Sequence, residues 1–173
     1  MLKKLIAATA LSLVASTAAL AETYTVTITN NLGEELLAPI LITDASNDAE
    51  IFAGSYVTAE AEEQILTGDP AKLAMRIGAD AMVGHGMDGP PGVLLAPGKS
   101  VEFEINTDAS AVRIISMVAP TLKPDNYVSN VVDLHASAMV NAQLHRFDIG
   151  HDEGTMQNMH ISDNAATIAF KKN

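Results

Sequence analysis

The sequence predicts an all-β protein: an antiparallel, C2-like β-sandwich with one or two short helices inserted between strands. Three observations carry this expectation. Thr23 to Thr29 alternates threonine with Tyr24, Val26 and Ile28, the period of two that suits a half-buried pleated surface. Near the other end, Ala165 to Lys171 repeats the pattern, with Ala166, Ile168 and Phe170 on one face. Between them, Pro- and Gly-containing turns punctuate short apolar runs, with a single helical excursion.

The elements follow in order. After the first strand, Asn30-Asn31-Leu32-Gly33 supplies turn residues. Leu36 to Thr43 reads as a second strand that Pro39 interrupts, which places it at an edge or a bulge, and Asp44 to Asp48 closes it as a polar loop. Thr58 then caps a helix through AEAEEQIL, whose Glu60, Glu62 and Glu63 suit the positive end of the helix dipole, and Gly68 stops it. Asp69-Pro70 restarts a second helix over Ala71 to Ile77, closed by Gly78. Residues 78 to 92 hold five glycines and two prolines and read as a long surface loop.

Beyond that loop, Val93-Leu94-Leu95 and Ser100 to Asn106 flank Ala96-Pro97-Gly98-Lys99 and predict a hairpin. Ala111 to Val118 is apolar nearly throughout, the mark of a central strand with both faces covered. Further strands are expected over Tyr127 to Leu134 and Ala142 to Phe147. No repeat or linker divides the chain after its first 21 residues.

Those first residues carry Lys3 and Lys4, an apolar run from Leu5 to about Val14 and the small-residue ending Ala19-Leu20-Ala21. This is the three-part pattern of a secretory signal peptide, so residues 1–21 are expected to be removed and 22–173 to form one domain, periplasmic or extracellular. The apolar run is too short for a permanent membrane span. With no cysteine in the chain, neither a disulfide nor a lipidated cysteine is available. The formal net charge is −11, and losing two lysines with the leader makes the remainder more acidic still. Nucleic acid and anionic membranes would repel such a surface.

Catalytic motifs do not stand out. There is no Gly-x-Ser-x-Gly elbow and no glycine-rich loop in a strand-to-helix setting, so the expectation is a protein that is not an enzyme. Oxygen donors are more prominent. The segment PTLKPDNY holds Asp125 and Asn126, and FDIGHDEGTMQN holds Asp148, Asp152, Glu153 and Asn158. Calcium takes about six to eight oxygens, which sandwich-end loops can supply from distant segments. The spacing is not that of an EF-hand, and taken alone it favours a solvated acidic loop. The rival metal is copper. Met82, His85 and Met87 in one loop, with Met156, Met159 and His160 in the other, offer the soft ligands that select Cu(I) in a periplasmic carrier. Against it, methionine often fills core gaps in place of leucine.

The order of segments resembles the spondin domain, in the small secreted form found in bacteria and at the amino end of animal matrix proteins of the F-spondin and mindin type. The likeness starts at Tyr24 to Asn30 and continues through the Pro39 strand, Phe52 to Gly54, the acidic helical stretch and the Pro-Gly turn into VEFEI. Its most specific parts are Ser116-Met117-Val118-Ala119-Pro120-Thr121 leading to Asp125-Asn126-Tyr127-Val128, and Asp152-Glu153-Gly154-Thr155-Met156. The resemblance implies the C2-like sandwich, a calcium ion held at one end, and extracellular or cell-surface binding or adhesion through a protein or glycan partner. By motif position it assigns Asp125 and Asp152 as calcium ligands. Met156 stands where the family pattern places an acid, leaving Asp148, Glu153 or Asn158 to compensate.

Overall fold

The computed structural model describes residues 20–84, 94–119 and 125–173. The chain folds as an all-β antiparallel sheet that wraps into a nearly closed, barrel-like sandwich. Its strands are β1 (Glu22–Asn30), β2 (Leu36–Leu37), β3 (Ile40–Asp44), β4 (Phe52–Ala53), β5 (Tyr56–Val57), β6 (Met82–Gly84), β7 (Ser100–Thr107), β8 (Ala111–Ala119), β9 (Asn126–Asp133), β10 (Met139–Asp148) and β11 (Met159–Lys172). The main sheet runs β6-β3-β8-β9-β10-β11-β1-β7, with β2 also on β8; β4 and β5 form a separate small hairpin. The sheet's two end strands approach each other where Gly84 on β6 meets the Phe103 ring on β7. A Cβ at Gly84 would fall 2.4 Å from that ring, so only glycine permits the contact.

Two cores explain the hydrophobic patterns. One fills the interior, with Val26, Ile28, Ile114, Val128, Leu144, Ile168 and Phe170 among its members. The alternation along β1 and β11 follows from this, since their other faces meet solvent. The second core lies outside the sheet, where Leu41, Ile115 and Tyr127 pack against Ile51, Ala61, Ile65 and Leu73. Those last residues come from helices α1 (Asp48–Ile51), α2 (Ala59–Thr67) and α3 (Ala71–Ile77). Strands β3 and β8 are therefore covered on both faces, which is why they read as continuous apolar runs. Gly68, at φ 77°, closes α2 as expected. The Asp69 carboxylate accepts from the Ala71 N–H at 2.9 Å and starts α3. Thr58 precedes α2 but does not cap it through its side chain: its hydroxyl donates to the Glu50 carbonyl at 2.7 Å.

Several local expectations are corrected. The predicted hairpin across Pro97-Gly98 does not form. Leu95 exchanges backbone hydrogen bonds with Leu37 at 3.0 and 2.8 Å, while β7 pairs along its length with β1, setting Phe103 opposite Val26 and Val101 opposite Ile28. The edge of β1 offers β7 a long ladder with matching alternation, which Leu94-Leu95 cannot; Val93 lies outside the described residues. The turn itself exists, clamped by Asn30 N–H to the Lys99 carbonyl and Gly98 N–H to the Asn30 carbonyl. Pro39 splits the predicted second strand into β2 and β3 at a bulge, residues 38–40 lying opposite only 116–117 of β8, as one of the two expected placements has it; β3 is not an edge, because β6, formed by residues assigned to the glycine-rich loop, pairs outside it. The Asp44-to-Asp48 segment is helical rather than a plain loop, because the Asp44 carboxylate accepts from Ser46 N–H at 2.8 Å and initiates a 3-10 turn leading into α1.

Candidate metal centre

The β9 and β10 strands pair so that Asn126 lies opposite Asp148. This register sets the first residues of β9 beside the last residues of β10, and a further bond from Ile149 N–H to the Asp125 carbonyl, 3.2 Å, extends the contact past the strand ends. Asp125 enters from one side and the loop 149–158 from the other. Carboxylate oxygens of Asp125, Asp148, Asp152 and Glu153 lie within 4.8 Å of one another. Asp125 and Asp148 are buried, at 0% and 2% exposure, while Asp152 and Glu153 face solvent.

The loop has a defined scaffold. Asp148 accepts from Gly150 N–H at 2.7 Å, a turn of the kind aspartate forms with the backbone two residues on. Gly150, at φ +67°, then receives Thr155 N–H and Met156 N–H on its carbonyl at 3.0 and 2.9 Å. A Cβ on Gly150 would sit 2.1 Å from Thr155 Oγ1, so no other residue closes this loop without displacing it. The closure turns the N–H groups of His151 and Asp152 onto Asp125 Oδ2, at 2.9 and 3.2 Å.

Asn126 ties the two buried carboxylates together. Its Nδ2 donates to Asp148 Oδ2 at 3.0 Å and to Asp125 Oδ1 at 3.3 Å, while its Oδ1 accepts from Arg146 Nε at 2.6 Å. Arg146 spends its two remaining nitrogens on Glu35, at 2.7 and 2.9 Å. The guanidinium therefore reaches the acidic cluster through a neutral amide and is itself neutralised by Glu35.

The electrostatic consequences fall on the pair Asp125 and Asp152. Burial works to raise the Asp125 carboxyl, but hydrogen bonds from the backbone and side chain of Asp152 and from the His151 N–H outweigh it and hold Asp125 below its ordinary value. Asp152 takes the opposite shift. Its hydrogen bond with Glu153, then desolvation and the hydrogen bond with Asp125, push it up to about 6. A proton on Asp152 thus relieves like-charge repulsion in the cluster, and a cation held by the same oxygens would do so in its place.

Four of the five residues expected as metal ligands, Asp125, Asp148, Asp152 and Glu153, are brought together. The fifth, Asn158, turns its side-chain oxygen to the Tyr127 hydroxyl at 2.8 Å, and its N–H donates to the Ser55 carbonyl at 2.9 Å, pinning the loop to the β4–β5 turn. Met156 adopts a left-handed backbone, φ 56°, with its N–H on Gly150. Glu153, three residues earlier, is the residue of this loop that adds a carboxylate beside Asp152 to the cluster. Gly150 is not among the residues the sequence reading selects, although Asp148-Ile149-Gly150 carries the aspartate-turn signature that marks it. Of the copper residues, Met82 packs against the interior core, His160 contacts Asp163, and Met156 and Met159 are exposed. His85 and Met87 lie outside the described residues.

A donor set made only of carboxylate oxygens is hard, and it suits Ca2+ or Mg2+ rather than a soft ion. The fold and this site define the class: an antiparallel β-sandwich with an acidic cluster in the loops at one end. No protein-family model and no curated protein matches the chain. Among the described residues, no helix is long and apolar enough to cross a membrane.

Proposed function

We propose that this chain is an exported, non-enzymatic, spondin-like binding module that holds a calcium ion between Asp125, Asp148, Asp152 and Glu153. The ion braces the end of the sandwich that engages an extracellular or cell-surface partner, a protein or a glycan. The observation that carries this reading is the convergence of four carboxylates from two sequence-distant loops, two of them buried and met by neutral N–H donors. The spondin resemblance supports it independently, since it assigns Asp125 and Asp152 to calcium. An ion would also supply order that a cysteine-free chain cannot draw from disulfides.

Thermal melting in EGTA, in calcium and in magnesium tests the proposal. At calcium about a hundredfold above its Kd, the protein gains about 2.7 kcal/mol over the EGTA sample. Asp125→Asn keeps the side-chain volume and loses most of that gain. An identical melt with and without calcium removes the ion from the function.

A further inference from the structure

A second cluster lies on the strands that lead into the acidic loop. His145 Nδ1 and His160 Nε2 both meet the same carboxylate oxygen, Asp163 Oδ1, at 2.8 and 3.0 Å. One ligand atom from each of these three residues falls within 4.8 Å of the other two. All three are at least partly open to solvent, with side-chain exposures of 31%, 49% and 71%.

Regular β-structure would not produce this arrangement. His160 and Asp163 are three apart on β11, so in an unbroken strand they would project to opposite faces about 10 Å apart. The β10–β11 ladder is broken twice: Leu144 pairs with Ala166, Arg146 with Ser162 and Phe147 with His160. Three residues of β11, 163–165, therefore oppose the single residue His145, and Ile161 is an additional insertion. Asn164 within the larger bulge takes the left-handed conformation, φ 53°. Asn31, just past β1, holds the bulge in place: its Nδ2 donates to Asn164 Oδ1 at 3.0 Å and its N–H to the Ala165 carbonyl at 3.1 Å. Bulges of this kind re-aim side chains and recur beside functional sites.

The imidazoles are also braced from behind. Tyr127 stacks on Phe147 at 5.3 Å between centroids, Phe147 meets His160 edge-on at 5.5 Å, and His160 lies 5.9 Å from His145. The Tyr127 hydroxyl is fixed on Asn158. Ring orientation is thus set by packing as well as by the shared carboxylate.

From this convergence we propose a second metal site, distinct from the acidic cluster, in which His145, His160 and Asp163 bind a divalent transition ion of the Zn2+ type. Two imidazole nitrogens and one carboxylate oxygen match the three-ligand set of open tetrahedral zinc sites, with the solvent side left for a fourth ligand. Spacings below 4.8 Å need only small side-chain rotations to reach ligand bonds of about 2.0–2.2 Å. Imidazole excludes calcium here, and the all-oxygen cluster is the poorer host for zinc.

Isothermal titration of the purified protein with Zn2+, in saturating calcium, tests the site. One Zn2+ binds per chain, and His145→Gln, His160→Gln and Asp163→Asn each weaken it by at least roughly tenfold. Asp125→Asn leaves zinc affinity unchanged, and the histidine variants leave any calcium-dependent melting shift unchanged. Imidazole 15N resonances of the unsubstituted protein give an independent reading. Zn2+ moves those of His145 and His160 and not that of His135, which keeps the test intact where a variant fails to fold. Zinc affinity unchanged in all three variants, or 15N shifts confined to other histidines, overturns the proposal. So does an absence of zinc binding at micromolar concentration.

Discussion

The acidic cluster at the end of β10 and the imidazole cluster three residues earlier on the same strand are close neighbours with opposite construction. The first is built where the sheet is regular: the Asn126–Asp148 register carries Asp125 and the following loop together. The second is built where the sheet fails, because only the double bulge in β11 puts His160 and Asp163 on one side. The first offers four carboxylates, two of them buried; the second offers two imidazoles and an exposed carboxylate. One strand therefore carries residues of both a carboxylate cluster and an imidazole cluster, and the Phe147 ring between them in sequence packs on Tyr127 and His160.

The largest test of this contrast is Gly150→Ala. The left-handed backbone and the 2.1 Å approach to Thr155 Oγ1 force the loop to move. Urea denaturation is expected to show a loss of about 2–4 kcal/mol. Calcium binding disappears with it, and zinc binding at the bulge persists. Retention of calcium affinity would mean that the loop does not place the ligands.

A smaller effect comes from pH. Asp152 is raised in the folded state to about 6 from its ordinary 3.8. Between those values the native state binds more protons than the unfolded chain, so in EGTA this group's contribution to stability is present below the unfolded value and lost as pH rises through about 6. Calcium requires the deprotonated form, so its affinity falls about tenfold per pH unit below 6 and levels off above it. Calcium titrations from pH 5 to 8 check this, and Asp152→Asn flattens the profile.

The smallest effect is expected at Met156. Glycine there relieves the left-handed strain at φ 56° on an exposed residue. Met156→Gly should stabilise the protein by about 0.5 kcal/mol by denaturant titration. Neither cluster should change its metal affinity, because only the Met156 backbone takes part in the loop.

Legibility in the sequence tracks how local the cause was. The alternation along β1 and β11, the Gly68 terminus of α2 and the Asp69 start of α3 depend on residues within a turn or two of one another, and each appears where periodicity and capping place it. The Pro97-Gly98 turn was also legible, but its strand partners were not. Whether β7 pairs back onto Leu95 or across to β1 depends on which ladder is longer, and that lies 75 residues away along the chain at Thr27 and Glu102. Similarly, Asp125, Asp148, Asp152 and Glu153 stand out as acids in two loops, while the order in which they bury and pair does not.

Composition and pattern by themselves determined an all-β chain with a short helical insertion, acidic, cysteine-free and bearing oxygen donors in two distant loops. Those properties follow from side-chain chemistry and short-range periodicity. Tertiary structure alone decided that β6 and β7 would meet through Gly84 and Phe103. It alone decided that Asn126 would bridge two buried carboxylates, and that a bulge pinned by Asn31 would turn Asp163 onto two histidines. Each depends on strand register, which is fixed by the sum of contacts across the whole sheet and is carried by no single segment.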